Sequence, residues 1–139
     1  MSLSTLPDLP TAEEWLIDGF NVLHVGVLGG EPRTEWWRSA QRERLLERVR
    51  CFEPAGARVI VVFDGRHPPA PAEDGTDRVE VVFAPSADEW LVARVRDAQD
   101  PAGLAVVTAD RRLSSRVERR GARVVAPGTF LAHCGAPPS

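Results

Sequence analysis

A chain of 139 residues has room for one hydrophobic core, and 43% hydrophobic beside 27% charged residues is ordinary globular composition. That balance excludes intrinsic disorder and collagen-like repeats, and a formal charge of −3 excludes an overall basic field that would draw the protein onto nucleic acid. All 17 basic residues are arginine, so the lysine of a P-loop, a Schiff-base enzyme or a protein kinase is missing, and with no tyrosine there is no phenolic nucleophile.

The sequence reads as a single domain over 1–139, with an N-terminal extension over 1–12 and a tail over 135–139. The opening MSLSTLPDLP carries no basic residue and no long apolar run, and nothing approaches the roughly 18 apolar residues of a membrane span, so a cytoplasmic protein is expected. In chain order, short β-branched apolar runs alternate with helical patterns. A strand is expected over Trp15–Asp18, then a helix from about Thr34 to Phe52 with Trp37, Leu45, Val49 and Phe52 on one stripe. A second strand covers Arg58–Asp64, followed by a mobile Pro- and Gly-rich loop over 65–77 and a third strand over Arg78–Ala84. Ser86-Ala-Asp-Glu89 has the form of a capping box, with Ser86 capping a helix that runs to about Gln99 and Glu89 reaching back. A fourth strand, Leu104–Asp110, leads into a helix over Arg111–Arg120 that stops at Gly121. A fifth strand over Ala122–Ala126 and a short helix over Gly128–Cys134 close the chain. Cys51 and Cys134 match no zinc or redox spacing and read as ordinary reduced thiols.

Three of these strands end in an acid: Asp18, Asp64 and Asp110. In a parallel sheet the three meet on one edge, where open α/β folds bind ligands, and Asp88 in the first turn of the second helix leans over the same edge. Each acid also suits a turn or a helix cap, and those roles compete with the functional one. Their conjunction favours chemistry: clustered carboxylates repel unless protonated or paired by a divalent cation, and hard oxygen donors suit Mg²⁺ or Mn²⁺.

The segments Asp18-Gly-Phe-Asn21-Val, Val-Val-Phe-Asp64-Gly, Ser86-Ala-Asp88-Glu and Val-Val-Thr108-Ala-Asp110-Arg resemble, in this order, the NYN branch of the PIN-like nucleases, and within it the YacP-like members, which include a ribosome-associated endoribonuclease. The resemblance covers about Trp15 to Leu131. It implies a three-layer α/β/α PIN-like fold with a central, mainly parallel five-stranded sheet. It also implies a Mg²⁺- or Mn²⁺-dependent endoribonuclease that hydrolyses single-stranded RNA or mRNA, with the ribosome as a partner. Asp18, Asp64, Asp88 and Asp110 match the acidic, metal-holding positions; Asn21 and Thr108 match the polar positions that orient them. Arg38, Arg42, Arg66, Arg111 and Arg112 are the expected contacts to the RNA backbone, because guanidinium forks fit phosphates, and Trp36, Trp37 and Trp90 are candidates for base stacking. Two readings compete. A phosphotransfer domain with Asp64 as acceptor lacks the lysine of a receiver and has Phe20 where a second acid is wanted. A non-catalytic RNA- or ribosome-binding module has no need of an acid cluster that repels phosphate.

Overall fold

The computed structural model describes residues 12–23, 39–52, 58–65 and 79–134. The expected extension up to residue 11, the loop beyond Gly65 and the tail over 135–139 lie outside these residues, as do Trp36 and Trp37. In chain order the elements are β1 (Glu14–Asp18), α1 (Gly19–Val22), α2 (Ser39–Arg50), β2 (Arg58–Asp64), β3 (Val79–Ala84), α3 (Ala87–Arg96), β4 (Leu104–Val107), α4 (Arg111–Arg119), β5 (Arg123–Val125) and α5 (Pro127–Ala132). One 3-10 turn, Pro101–Gly103, leads into β4.

All strand pairs are parallel, and the five strands stand in the order β3-β2-β1-β4-β5. Alternating side chains send the two faces of the sheet into separate cores, which gives the three layers. Trp15, Ile17, Val59, Val61, Phe63, Ala105 and Val107 face α1, α2 and α5, where Leu45, Val49, Phe52 and Phe130 cover them. Trp15 and Phe52 meet edge to face at 4.9 Å between ring centroids, and Phe52 lies 4.5 Å from Phe130. Leu16, Ile60, Val62, Leu104 and Val106 face α3 and α4, under Leu91, Val95, Leu113 and Val117. Burial of each such side chain contributes about 1.5–3 kcal/mol.

The strand order places the site. From β1 the chain steps outward to β2 and β3, then returns to the other side of β1 for β4 and continues to β5. The direction therefore reverses between β1 and β4, and a crevice opens at their carboxyl ends. Asp18 is the last residue of β1 and stands at that reversal.

Local details depart from expectation in three places. The fourth strand ends at Val107, where its ladder with β5 ends at the Val107–Val125 pair, so Asp110 does not terminate a strand. Asp110 is instead the N-cap of α4, its Oδ1 accepting the backbone N–H groups of Arg112 and Leu113 at 2.9 and 3.1 Å. A short helix, α1, follows β1 directly, which the sequence pattern does not reveal. The capping box is half formed: Ser86 Oγ accepts the Glu89 N–H at 3.2 Å, but the Glu89 carboxylate turns to Arg116. The stop at Gly121 holds, with φ of +102° and the Gly121 and Ala122 N–H groups returning to the carbonyls of Glu118 and Val117. Cys134 is fully buried with its Sγ donating to the Phe130 carbonyl, a packing role consistent with an ordinary thiol.

Candidate active site

Asp18 leaves β1 pointing into the crevice, and the chain turns at once into α1. Gly19 permits that turn: a Cβ there would lie 2.5 Å from the Phe63 ring and 2.8 Å from the Val62 carbonyl, so only glycine lets the backbone pass over β2 at this height. Asp18 is 5% exposed, and its Oδ2 accepts the hydroxyl of Thr108, itself buried, at 2.9 Å. Thr108 Oγ1 in turn accepts the Asp110 N–H at 3.0 Å, and Asn21 Oδ1 accepts the Ala109 N–H at 2.7 Å. The loop 108–110 is thus tied at each residue to β1, α1 or α4. On the other side of Asp18, Asp64 ends β2 and its Oδ1 accepts the N–H of Ala87, the first residue of α3, at 2.8 Å. That bond registers β2 against α3 and brings Asp88 over the edge.

The electrostatics mark these acids as one group. Burial is the main cause that raises the Asp18 pKa from 3.8 to about 7; the Thr108 hydroxyl opposes it, and the charges of Asp88, Asp64 and Asp110 add to it. Asp88 is raised as well, first by burial and then by Asp110 and Asp64, while Arg116 pulls the other way. Asp64 and Asp110 thus act on both Asp18 and Asp88. Asp18 Oδ2 and Asp64 Oδ1 each accept one hydrogen bond and Asp110 Oδ1 accepts two, so in each of the three acids a single carboxylate oxygen takes these bonds. Among the described residues no three His, Cys, Asp or Glu side chains stand close enough together to hold a metal ion, so a cation here would meet part of the set through its own waters. An all-oxygen donor set of this kind fits a cation that retains several of its waters, as Mg²⁺ does.

Of the arginines singled out from the sequence, Arg111 and Arg112 are exposed in the first turn of α4 beside Asp110. Arg42 lies in α2 with its side chain outside the description, and Arg38 and Arg66 fall outside the described residues altogether. Trp90 is half buried against the core under α3 and α4, which favours a packing role. Arg116 was not singled out. It grips Glu89 with two hydrogen bonds of 2.8 and 3.2 Å, bridges α4 to α3, and is the cation that Asp88 feels. The signal available in the sequence was its place one turn after Arg112 on the same helix.

The YacP-like NYN domain family matches the chain over residues 15–136. Two crystal structures of Rae1 (YacP) from Bacillus subtilis share the fold. The W164L mutant superposes with a TM-score of 0.68 at 23% identity, covering 88% of this chain and 74% of that one. The other superposes with a TM-score of 0.63 at 23% identity, covering 86% and 72%. Comparison with curated proteins finds no match.

Proposed function

The chain belongs to the YacP-like NYN domain family of nuclease-like RNA-processing domains, and from that premise we propose that it is a divalent-metal-dependent endoribonuclease acting on single-stranded RNA such as mRNA. One observation carries the reading: a buried carboxylate, Asp18, is held against three further acids at the reversal point of a parallel sheet, an arrangement that is costly without a cation. Asp18, Asp64, Asp88 and Asp110 would hold Mg²⁺ or Mn²⁺, directly or through its waters, and the bound ion would supply an activated water for in-line attack and offset charge on the phosphate.

This chain's own residues do the positioning. Thr108 fixes the orientation of Asp18, and the same oxygen, by accepting the Asp110 N–H, fixes where α4 begins. Asn21 holds the Ala109 backbone and so ties α1 to the loop after β4. The Ala87 N–H holds Asp64. Arg111 and Arg112 stand beside Asp110 where a scissile strand would pass, and guanidinium groups there offset the repulsion between RNA and the acids. Because the chain is acidic overall, free RNA binds weakly, and a larger partner such as the ribosome presents the strand.

The test is a cleavage assay on single-stranded RNA, duplex RNA and DNA with Mg²⁺, Mn²⁺ or EDTA. Cutting of single-stranded RNA that needs metal and disappears in Asp18→Asn is the expected result. RNA binding without cutting in either metal would overturn the proposal in favour of a non-catalytic module.

A further inference from the structure

The segment 111–120 holds five arginines and one glutamate in a chain whose net charge is −3. Two features of this helix run against its stability. Arg111 and Arg112 occupy the first turn of α4, where the helix dipole disfavours cations. Arg112 and Arg116 are also like charges at i and i+4, a pairing that costs a few tenths of a kcal/mol. At 100° per residue, Arg112, Arg116 and Arg119 fall within about 60° of one another. Leu113 and Val117 define the buried side, and Glu118, the one acid of the helix, projects about 120° from Arg112.

Across from the row stands α3. Glu89 takes Arg116 through both carboxylate oxygens and is also held down by the charge of Arg112, so the row adjoins α3 and Arg116 is already ordered. Arg112 and Arg119 are exposed and extend the row from Asp110 along about 10 Å of helix axis. One end therefore lies at the acid crevice and the other points away from it.

We propose that the α4 row of Arg112, Arg116 and Arg119 is the surface that holds the RNA backbone leading to or from the acid crevice, binding phosphates without reading bases. The proposal rests on the nuclease reading for the identity of the polyanion, and extends it to Arg116 and Arg119. Guanidinium groups one turn apart contact successive phosphates, with Arg116 fixed by Glu89 as the anchor and its neighbours free to adjust.

The test is equilibrium binding of a labelled short single-stranded RNA to the full-length chain in EDTA, across a salt series. Arg112→Ala/Arg119→Ala is expected to bind about tenfold more weakly, with a salt slope shallower by about 1.4, because each phosphate contact on a single strand contributes about 0.7. Arg58→Ala/Arg123→Ala removes the same charge from exposed positions at the amino ends of β2 and β5 and is expected to leave affinity within about twofold and the slope unchanged. Arg112→Lys/Arg119→Lys, which keeps the charges, is expected to restore the slope. Equal losses in both alanine pairs, or no loss in the first, would overturn the row. A wild-type chain that shows the row effect yet never cuts RNA with Mg²⁺ or Mn²⁺ would overturn the nuclease reading and uphold the row; cutting with an unaffected double mutant would do the reverse.

Discussion

The two ends of the same parallel sheet handle charge in opposite ways. At the amino end each of two acids has an arginine of its own: Glu14, which opens β1 and is largely buried, has Arg94 of α3 at 2.9 Å, and Glu80 of β3 has Arg58 of β2 at 3.0 Å. The Glu14 contact is an ion pair whose Oε2 lacks hydrogen-bond geometry, so its strength is Coulombic. At the carboxyl end the charges of Asp64 and Asp110 act on both Asp18 and Asp88, and the cation that opposes them at Asp88, Arg116, is already shared with Glu89. The difference separates two uses of a carboxylate. Paired acids fasten β1 to α3 and β2 to β3, whereas at the crevice burial and neighbouring acids make the charged forms of Asp18 and Asp88 costly.

The largest effect is expected from neutralising one acid at the carboxyl end. On the proposed reading Asp18→Asn should lower RNA cleavage by on the order of 10³-fold, because it removes a carboxylate from the set that would hold the cation. Retention of near-wild-type cleavage would reduce the crevice to architecture.

Stability should answer in the opposite sense at the two ends. For Asp18 the folded pKa of about 7 exceeds the ordinary 3.8, so the folded state binds more protons between those values. This group's contribution is fully present below about pH 4 and is lost as pH rises through about 7, a loss on the order of a few kcal/mol. In metal-free buffer Asp18→Asn should melt above wild type at pH 8 and converge with it near pH 4. Mn²⁺ should raise the wild-type melting temperature at pH 8 and leave the variant nearly unmoved. Arg94→Ala, at the other end, strands the Glu14 carboxylate and should cost about 2–3 kcal/mol by denaturant titration, with cleavage per folded molecule retained. An Asp18→Asn variant less stable at pH 8 would mean that the hydrogen bond of the Asp18 carboxylate to Thr108 outweighs the cost of its burial and the repulsion together.

A smaller effect tests positioning. Thr108→Val keeps the shape of a buried side chain but removes the hydroxyl that joins Asp18 to the Asp110 backbone, and should lower cleavage about 10–100-fold. Thr108→Ser should recover most of it. Parallel losses in melting temperature and activity, with no rescue by serine, would make Thr108 a packing residue.

Much of the carboxyl end was legible in the sequence because it is built from residue types with strong local preferences. Acids follow β-branched runs at Asp18 and Asp64, Ser86 marks the start of α3, and Gly121 marks the stop of α4. What stayed hidden depends on partners far away in the chain. The end of β4 is set by the length of β5 rather than by hydrophobicity, so Asp110 looked like a strand end and is a helix cap. Glu89 had a local partner to reach for and a better one on α4, and charge-assisted double hydrogen bonds to Arg116 prevailed over the cap. The short α1 follows from the space left by Gly19 over Phe63, which no periodicity reports.

The strand order also fixes when the crevice can come into being. As the chain is made from its N-terminus, β1 can pair with β2 early, but the Thr108 hydroxyl that locks Asp18 arrives 90 residues later, just after the strand inserted at β1's other side. Such distant pairing is slow relative to local structure, since loop closure precedes its reward. A nascent chain carrying Asp18 and Asp64 thus passes through a long interval with two of the four acids made and the Thr108 bond that orients Asp18 still to come.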